Sequence, residues 1–218
     1  MATDIIYRIS SLVCHQLPER SFVASGRALP LCSRCTGIYA AFLISFVFAW
    51  IMHGRKKFLR FDKKVFVLSS ILLLAFLLDG ILSYAGAYLA PNPARLLLGF
   101  LGGVPLGLFS FALLKDSLSE KNYFLKSVFS LKDFAILSAI MLALFSLLYL
   151  PDFRLKFHAW TILSGGGLLF TYIAVNLTAV SVFTAGQKRK KFFRLKLAVY
   201  TLVLLIAELL VLTFISRR

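Results

Sequence analysis

The chain has 218 residues, of which 60% are hydrophobic and only 16% are charged, and its mean hydropathy is +0.85. Soluble domains contain about 45–50% apolar and about 25% charged residues, so the composition excludes a soluble globular enzyme, a disordered chain and a disulfide-rich secreted mini-protein. The net charge of +16 indicates basic loops beside a membrane rather than nucleic acid binding, because the basic runs lie between apolar segments. These properties predict an integral membrane protein.

Residues 1–35 are predicted to form a separate N-terminal segment before the membrane domain. Apolar residues recur at helical spacing between Ile5 and Leu12, after polar residues that suit a helix N-cap. This run is too short to cross a bilayer, which takes about 20 helical residues. We therefore expect an amphipathic interfacial helix that lies on the outer membrane surface or folds onto the bundle. Pro18 is expected to end this helix.

All three cysteines of the chain lie in this N-terminal segment. Cys32 and Cys35 have the Cys-x2-Cys spacing of metal sites, and they fall at the start of the first apolar span, where the helix dipole favours thiolates. Cys14 is followed directly by a histidine, and Glu19 is a substitute ligand. The pattern predicts an outward-facing Cys3His site for Zn²⁺, with copper or iron as alternatives. The predicted ligands are Cys14, His15, Cys32 and Cys35.

Other interpretations of the cysteines remain open. Cys32 and Cys35 are also candidates for the redox pair of a membrane thiol–disulfide oxidoreductase, with Cys14 as the exchanging thiol. A structural disulfide with one spare cysteine, or three inert buried thiols, would fit as well. Four protein ligands would make a zinc ion structural, whereas three ligands and a water would give a Lewis-acid site. The sequence therefore leaves open whether the protein is an enzyme.

The segment around the cysteines has a distinctive pattern. It is C-H-Q-x-P-x-R-S-F from Cys14 to Phe22, followed by G-R-x-L-P-x-C-x-R-C-T-G-I-Y from Gly26 to Tyr39. This pattern resembles a family of uncharacterised prokaryotic integral membrane proteins, and the resemblance continues through Asp79 to the region of Gly99. It implies a shared site but no particular reaction. The residues that match the family's motif are Cys14, His15, Cys32, Arg34, Cys35, Gly37 and Tyr39.

Residues 36–218 are predicted to form an all-α bundle of about six transmembrane helices, because a spanning segment must satisfy its backbone hydrogen bonds internally. Two overlapping G-x-x-x-G spacings between Gly99 and Gly107 predict close helix packing. Gly165–Gly167 mark either tight packing or a broken helix beside a cavity. The predicted spans are Thr36–His53, Val65–Tyr88, Arg95–Leu114, Phe134–Leu150, Trp160–Phe183 and Leu195–Ile215.

Basic residues are distributed unequally between the two ends of the spans. Sixteen of the 25 Lys and Arg residues lie in or beside the loops after the first, third and fifth spans. The positive-inside rule makes these loops cytoplasmic. Both termini and the cysteines are then expected on the extracytoplasmic side of a prokaryotic inner membrane.

Ionisable residues inside the spans are functional candidates, since they are costly to bury in lipid. Asp79 and Glu208 lie in the outer part of their spans, and either is expected to pair with Arg95 or Arg34. In a metal-dependent reaction, Asp79 or Glu19 is the candidate base. Arg95 or Arg34 would then hold an anionic group such as a lipid phosphate. The expected partners are membrane lipids and a lipid-linked or anionic substrate, and a transporter or binder of an amphipathic anion is a further hypothesis.

Overall fold

The computed structural model describes residues 2–24, 26–54, 58–88, 90–118, 126–147, 154–184 and 193–216. Most of these residues are helical. The helices are α1 (Ala2–Ser11), α2 (Ser33–His53), α3 (Lys63–Tyr84), α4 (Asn92–Leu118), α5 (Leu131–Leu147), α6 (Arg154–Phe183) and α7 (Phe193–Ser216). The short strands are β1 (Val23–Ala24) and β2 (Arg27–Ala28), which pair antiparallel, and β3 (Phe58–Phe61) and β4 (Lys126–Phe129), which pair in parallel.

The predicted all-α membrane bundle is confirmed. Five helices in the described ranges, α2, α3, α4, α6 and α7, are long and apolar enough to cross a membrane. The remaining predicted span, Phe134–Leu150, corresponds to α5, whose 17 residues extend about 25 Å at 1.5 Å per residue. The last residues of that predicted span, 148–150, lie outside the described residues. Each helix begins a few residues before its predicted span, because polar first-turn residues such as Ser33 and Asn92 extend the helix beyond the apolar run.

Helices α2 and α4 form the centre of the bundle, because glycines allow their backbones to approach closely. Gly99, Gly103 and Gly107 lie one turn apart along α4. A Cβ atom at any of these positions would clash with a carbonyl oxygen of α2. The facing carbonyl groups belong to Arg34, Ile38 and Phe42. The close packing predicted from the glycine spacing is therefore confirmed.

Helix α6 packs against both α2 and the N-terminal helix. It is continuous through Gly165–Gly167, so these glycines do not break the span. A Cβ atom on Gly167 would clash with the Tyr39 backbone of α2, and one on Gly165 would clash with Ile6 of α1. The glycines thus serve packing, and α1 is folded onto the bundle rather than lying free on the surface.

Helix α1 ends earlier than the sequence suggested. Its last residue is Ser11, and the backbone N–H of Cys14 still donates to the carbonyl oxygen of Ser10 at 2.9 Å. Gln16 then adopts a positive φ of 50°, which turns the chain out of the helical direction. Pro18 therefore does not end α1, but begins a short 3-10 turn, Pro18–Arg20.

The bundle has two ends with different polar contents. The cysteine end contains residues 12–37, the end of α3 and the start of α4. The basic-loop end contains the end of α2, β3, β4 and the start of α5. The pairing of β3 with β4 was not predicted, since the two strands lie in different loops of the sequence.

Candidate metal centre

The three cysteine sulfurs form one group at the cysteine end, which we call the cysteine cluster. The Sγ atoms of Cys14, Cys32 and Cys35 all lie within 4.8 Å of one another. In a tetrahedral zinc site with Zn–S bonds of about 2.3 Å, the sulfur atoms lie about 3.8 Å apart. A small approach of the three sulfurs toward one another would therefore give a suitable ligand set. All three cysteines are free, and Cys14 is buried.

The first turn of α2 positions two of the three sulfurs. Cys32 is the N-cap of α2, and Cys35 lies in its first turn. The turn is closed by the Thr36 N–H, which donates to the Cys32 carbonyl oxygen at 2.8 Å. Both sulfurs therefore lie at the positive end of the helix dipole, which stabilises thiolates.

Hydrogen bonds hold the third sulfur against this turn. The backbone N–H of Cys32 donates to Sγ of Cys14 across 3.3 Å. The side-chain amide of Gln16 donates to the carbonyl oxygens of Tyr7 and Pro30, both at 2.9 Å, and so connects α1 to the loop before α2. The Tyr7 hydroxyl also donates to the carbonyl oxygen of Ala28. Sequence reasoning missed the role of Gln16, although the residue directly follows the Cys-His pair.

The cysteine thiols differ in pKa. Hydrogen bonds from the Cys32 thiol, and then from the Cys35 thiol, lower the pKa of Cys14 to about 2, although burial opposes this shift. The pKa of Cys32 is raised, mainly because its thiol donates to Cys14. Cys14 is therefore the sulfur that carries negative charge most readily.

The structure does not bring the other predicted ligands to the sulfurs. His15 follows Cys14 directly, but its side chain is exposed. Glu19 is exposed on the short turn after Pro18. Among the described residues, the group of ligand atoms within 4.8 Å contains the three cysteines and neither of these side chains.

The candidate residues Arg34, Asp79 and Arg95 do come together beside the cluster. Asp79 is buried on α3 and forms an ion pair with Arg34 of α2, one of the two arginine partners that the sequence suggested. Arg95 is 4% exposed, and its Nε donates to the carbonyl oxygen of Ala90 at 2.7 Å. Arg95 also interacts electrostatically with Arg34, Asp79 and Cys32. These polar groups therefore form a layer that adjoins the sulfurs.

Glu208 has a different partner from the one expected. Its Oε2 accepts a hydrogen bond from Nδ2 of Asn176 on α6 at 2.7 Å. Glu208 also interacts electrostatically with Tyr172, which interacts in turn with Cys35. The expected pairing with an arginine is replaced by an amide contact between α6 and α7.

Comparison with known proteins finds a similarity for this region. Residues 14–109 match the model of a family described as a predicted membrane protein, DUF2085. The match is consistent with an uncharacterised family of prokaryotic membrane proteins. The matched residues include the cysteine cluster, Asp79 and Arg95.

Two archaeal proteins are similar to part of the chain. An uncharacterised protein of Methanocaldococcus jannaschii is 30% identical over 98 residues, which are 45% of this chain and 61% of that protein. An uncharacterised protein of Methanothermobacter thermautotrophicus is 29% identical over 98 residues, which are 45% of this chain and 84% of that protein. The match thus covers less than two thirds of the first relative. No solved structure matches the chain.

Proposed function

We propose that this membrane protein holds a metal ion, with zinc as the first choice, on the thiolates of Cys14, Cys32 and Cys35. The observation that carries the proposal is the convergence of every cysteine of the chain, from two separate segments, within 4.8 Å. A divalent cation would neutralise thiolates that the helix dipole and the Cys32 N–H already favour. Copper(I) or iron would also suit a thiolate-rich set.

The fourth coordination position is proposed to be open. His15 is exposed and lies outside the cluster. Three protein ligands with one exchangeable position are typical of zinc sites that bind water or substrate. Such an ion would supply Lewis-acid chemistry, and Asp79 is the buried carboxylate of the adjoining layer that is available as a base.

We propose that the metal site lies on the extracytoplasmic side, and the basic loops support this orientation. They flank the ends of the spans opposite to the cysteine cluster, and the positive-inside rule makes such loops cytoplasmic. A membrane-impermeant thiol reagent, applied to metal-depleted intact cells, tests this placement. It should label Cys32 and Cys35, which are partly exposed. Labelling only after the cells are lysed would contradict it.

Elemental analysis beside a thiol count tests the metal proposal. The protein is purified in mild detergent without chelator, and thiols are counted after denaturation with chelator. We expect about one zinc per chain and three free thiols. Each of Cys14→Ser, Cys32→Ser and Cys35→Ser should lose the metal, whereas His15→Ala should keep it. Full metal content in the serine variants would contradict the proposal, and its loss in His15→Ala would show a closed Cys3His site instead.

A thiol–disulfide oxidoreductase is the second candidate function. The lowered pKa of Cys14 and the proximity of the other two thiols favour it, since thiolates attack disulfides. It predicts no metal, a single free thiol and a mixed disulfide trapped in Cys35→Ser. Three free thiols in native membranes, with no trapped species, would exclude it.

A further inference from the structure

Three arginine side chains from separate segments converge beside the cysteine cluster. Arg20 ends the short turn that begins at Pro18, Arg34 lies in the first turn of α2, and Arg95 lies in the first turn of α4. Arg95 interacts electrostatically with both of the others. We call these three residues the arginine cluster. Asp79 forms an ion pair with Arg34 and interacts electrostatically with Arg95.

The backbone that carries the arginine cluster is fixed by specific contacts. Nδ2 of Asn92, the first residue of α4, donates to the carbonyl oxygens of Glu19 at 3.1 Å and Ser21 at 3.4 Å. The Ser33 hydroxyl donates to the carbonyl oxygen of Arg20 at 3.0 Å. The Arg34 carbonyl oxygen packs on Gly99. The turn, α2 and α4 are thus held together around the arginines.

The protein does not balance the charge of this cluster by itself. Arg95 is 4% exposed, and its side chain donates from Nε to the Ala90 carbonyl oxygen. Nε of the neighbouring Arg34 is buried and has no hydrogen-bond partner among the described residues. A buried charge without a counter-charge is costly. Zinc with three thiolates would add one net negative charge, so an excess of positive charge would remain even in a loaded site.

We propose that Arg20, Arg34 and Arg95 form a binding site for a phosphate-type anion. The planar guanidinium groups present paired N–H donors that match phosphate oxygens. The side chain of Arg34 is 19% exposed, and Arg20 is half-buried, so the site is open from their side. The proposal depends on the arginines and not on the metal, and it therefore stands or falls separately from the proposed metal centre.

Such a phosphate has two possible sources, a free anion or a lipid headgroup. An apolar cavity of about 170 Å³ lies between α3, α4 and α5, and Leu72 and Leu97 are among its lining residues. Leu72 lies two helical turns from Asp79, on the same face of α3. A lipid with its phosphate on the arginines thus has an apolar groove near by for a chain.

Binding of defined probes to the purified, full-length protein tests the proposal. Isothermal titration in a neutral detergent would use inorganic phosphate, dioctanoyl phosphatidic acid and, as the phosphate-free control, dioctanoylglycerol. We expect saturable binding of a phosphate probe. Binding of inorganic phosphate would identify a free anion as a ligand, and binding of phosphatidic acid alone would identify a lipid headgroup. Both results support the site, whereas equal binding of dioctanoylglycerol, or no saturable binding, would overturn it.

Variants separate the arginine cluster from general charge effects. Arg20→Gln and Arg95→Gln should each weaken binding about tenfold or more, since each removes a charged donor. Arg8→Gln is the matched control, because Arg8 is an exposed arginine on α1, outside the arginine cluster. Zinc content is measured in every sample. Wild-type affinity for the phosphate probe in both Arg20→Gln and Arg95→Gln would overturn the proposal. If Cys32→Ser loses zinc but still binds the probe, the result would support the anion site independently of the metal centre.

Discussion

The two ends of the bundle satisfy their polar groups in different ways. At the basic-loop end, Asp133 accepts a hydrogen bond from the Ser130 N–H at 2.8 Å and lies 3.7 Å from Nε2 of His53. Lys115 donates to the carbonyl oxygen of Gly54, at the C-terminus of α2. Cations stabilise a helix C-terminus, and carboxylates stabilise a helix N-terminus. Each of these polar groups therefore has an internal structural role.

At the cysteine end, by contrast, there are more thiol and guanidinium groups than partners for them within the protein. Three thiols lie together with no disulfide, and among the described residues the arginine cluster has one ion pair with a carboxylate, between Arg34 and Asp79. A polar cluster that its own protein leaves incomplete is suited to an external ligand, and the loss of one of its few counter-charges is costly.

Removal of the Asp79 charge should be the most damaging change. Asp79→Asn leaves the Arg34 guanidinium without its counter-charge in a buried layer, and we expect a loss of about 3–5 kcal/mol in the free energy of unfolding. Asp133→Asn is the matched change at the basic-loop end, where a weakened helix cap should cost about 1 kcal/mol. Unfolding in mixed detergent micelles measures both. Equal losses would remove the distinction between the two ends.

Zinc should stabilise the cysteine end of the wild-type protein. At free zinc about 100-fold above its dissociation constant, linkage predicts about 2.7 kcal/mol of added stability. Cys35→Ser should show no such gain, because the ligand set is broken. Unfolding curves at buffered zinc concentrations measure the effect. A similar gain in Cys35→Ser would place the binding of zinc elsewhere.

A methyl group inserted between α2 and α4 should destabilise the protein less than the changes above. It should also disturb the cysteine end. Gly103→Ala places a Cβ atom against the Ile38 carbonyl oxygen and the Ala41 side chain, and overpacking of this kind costs about 1–3 kcal/mol. A Cβ atom at Gly166 meets no atom within 4 Å, so Gly166→Ala should be neutral or slightly stabilising. The same unfolding assay compares them, and an equal effect of the two substitutions would argue against the glycine contact.

Loss of the Gln16 side chain should loosen the metal site without destroying it. Gln16→Ala removes the two hydrogen bonds that fix the loop of Cys14 against the residues before Cys32. Outer-shell contacts of metal sites are worth about 10–100-fold in affinity. We expect zinc binding to weaken about tenfold in competition with a chelating dye. An unchanged affinity would show that the loop is held by other contacts.

The smallest effect is expected from Lys115. Lys115→Gln removes the cation from the C-terminal carbonyl of α2, which should cost about 0.5–1 kcal/mol. Zinc content should not change, because the side chain lies at the opposite end of α2 from Cys35. A drop in zinc content would mean that the two ends are coupled through α2.

The sequence predicted those features that depend on local pattern. Apolar runs indicated the spans, since a membrane helix must be long and apolar, and the glycine spacing from Gly99 to Gly107 indicated the close contact with α2. The Cys-x2-Cys spacing put two thiols on one helix start. The presence of Cys14 in the same segment suggested the third.

Features that depend on tertiary geometry were not predictable in the same way. The choice of Arg34 rather than Arg95 as the partner of Asp79 follows from how α2, α3 and α4 pack. The turn at Gln16 directs His15 outward, which adjacency to Cys14 in the sequence cannot show. The pairing of β3 with β4 joins two loops that are separated by two helices.

X-ray absorption at the zinc K-edge of the zinc-loaded protein tests the proposed ligand set. Its fine structure reports the elements bound to the metal and their distances. We expect three sulfur ligands at about 2.3 Å and one lighter oxygen or nitrogen ligand at about 2.0 Å. A shell of oxygen and nitrogen without sulfur would contradict it, because the zinc would then lie away from Cys14, Cys32 and Cys35.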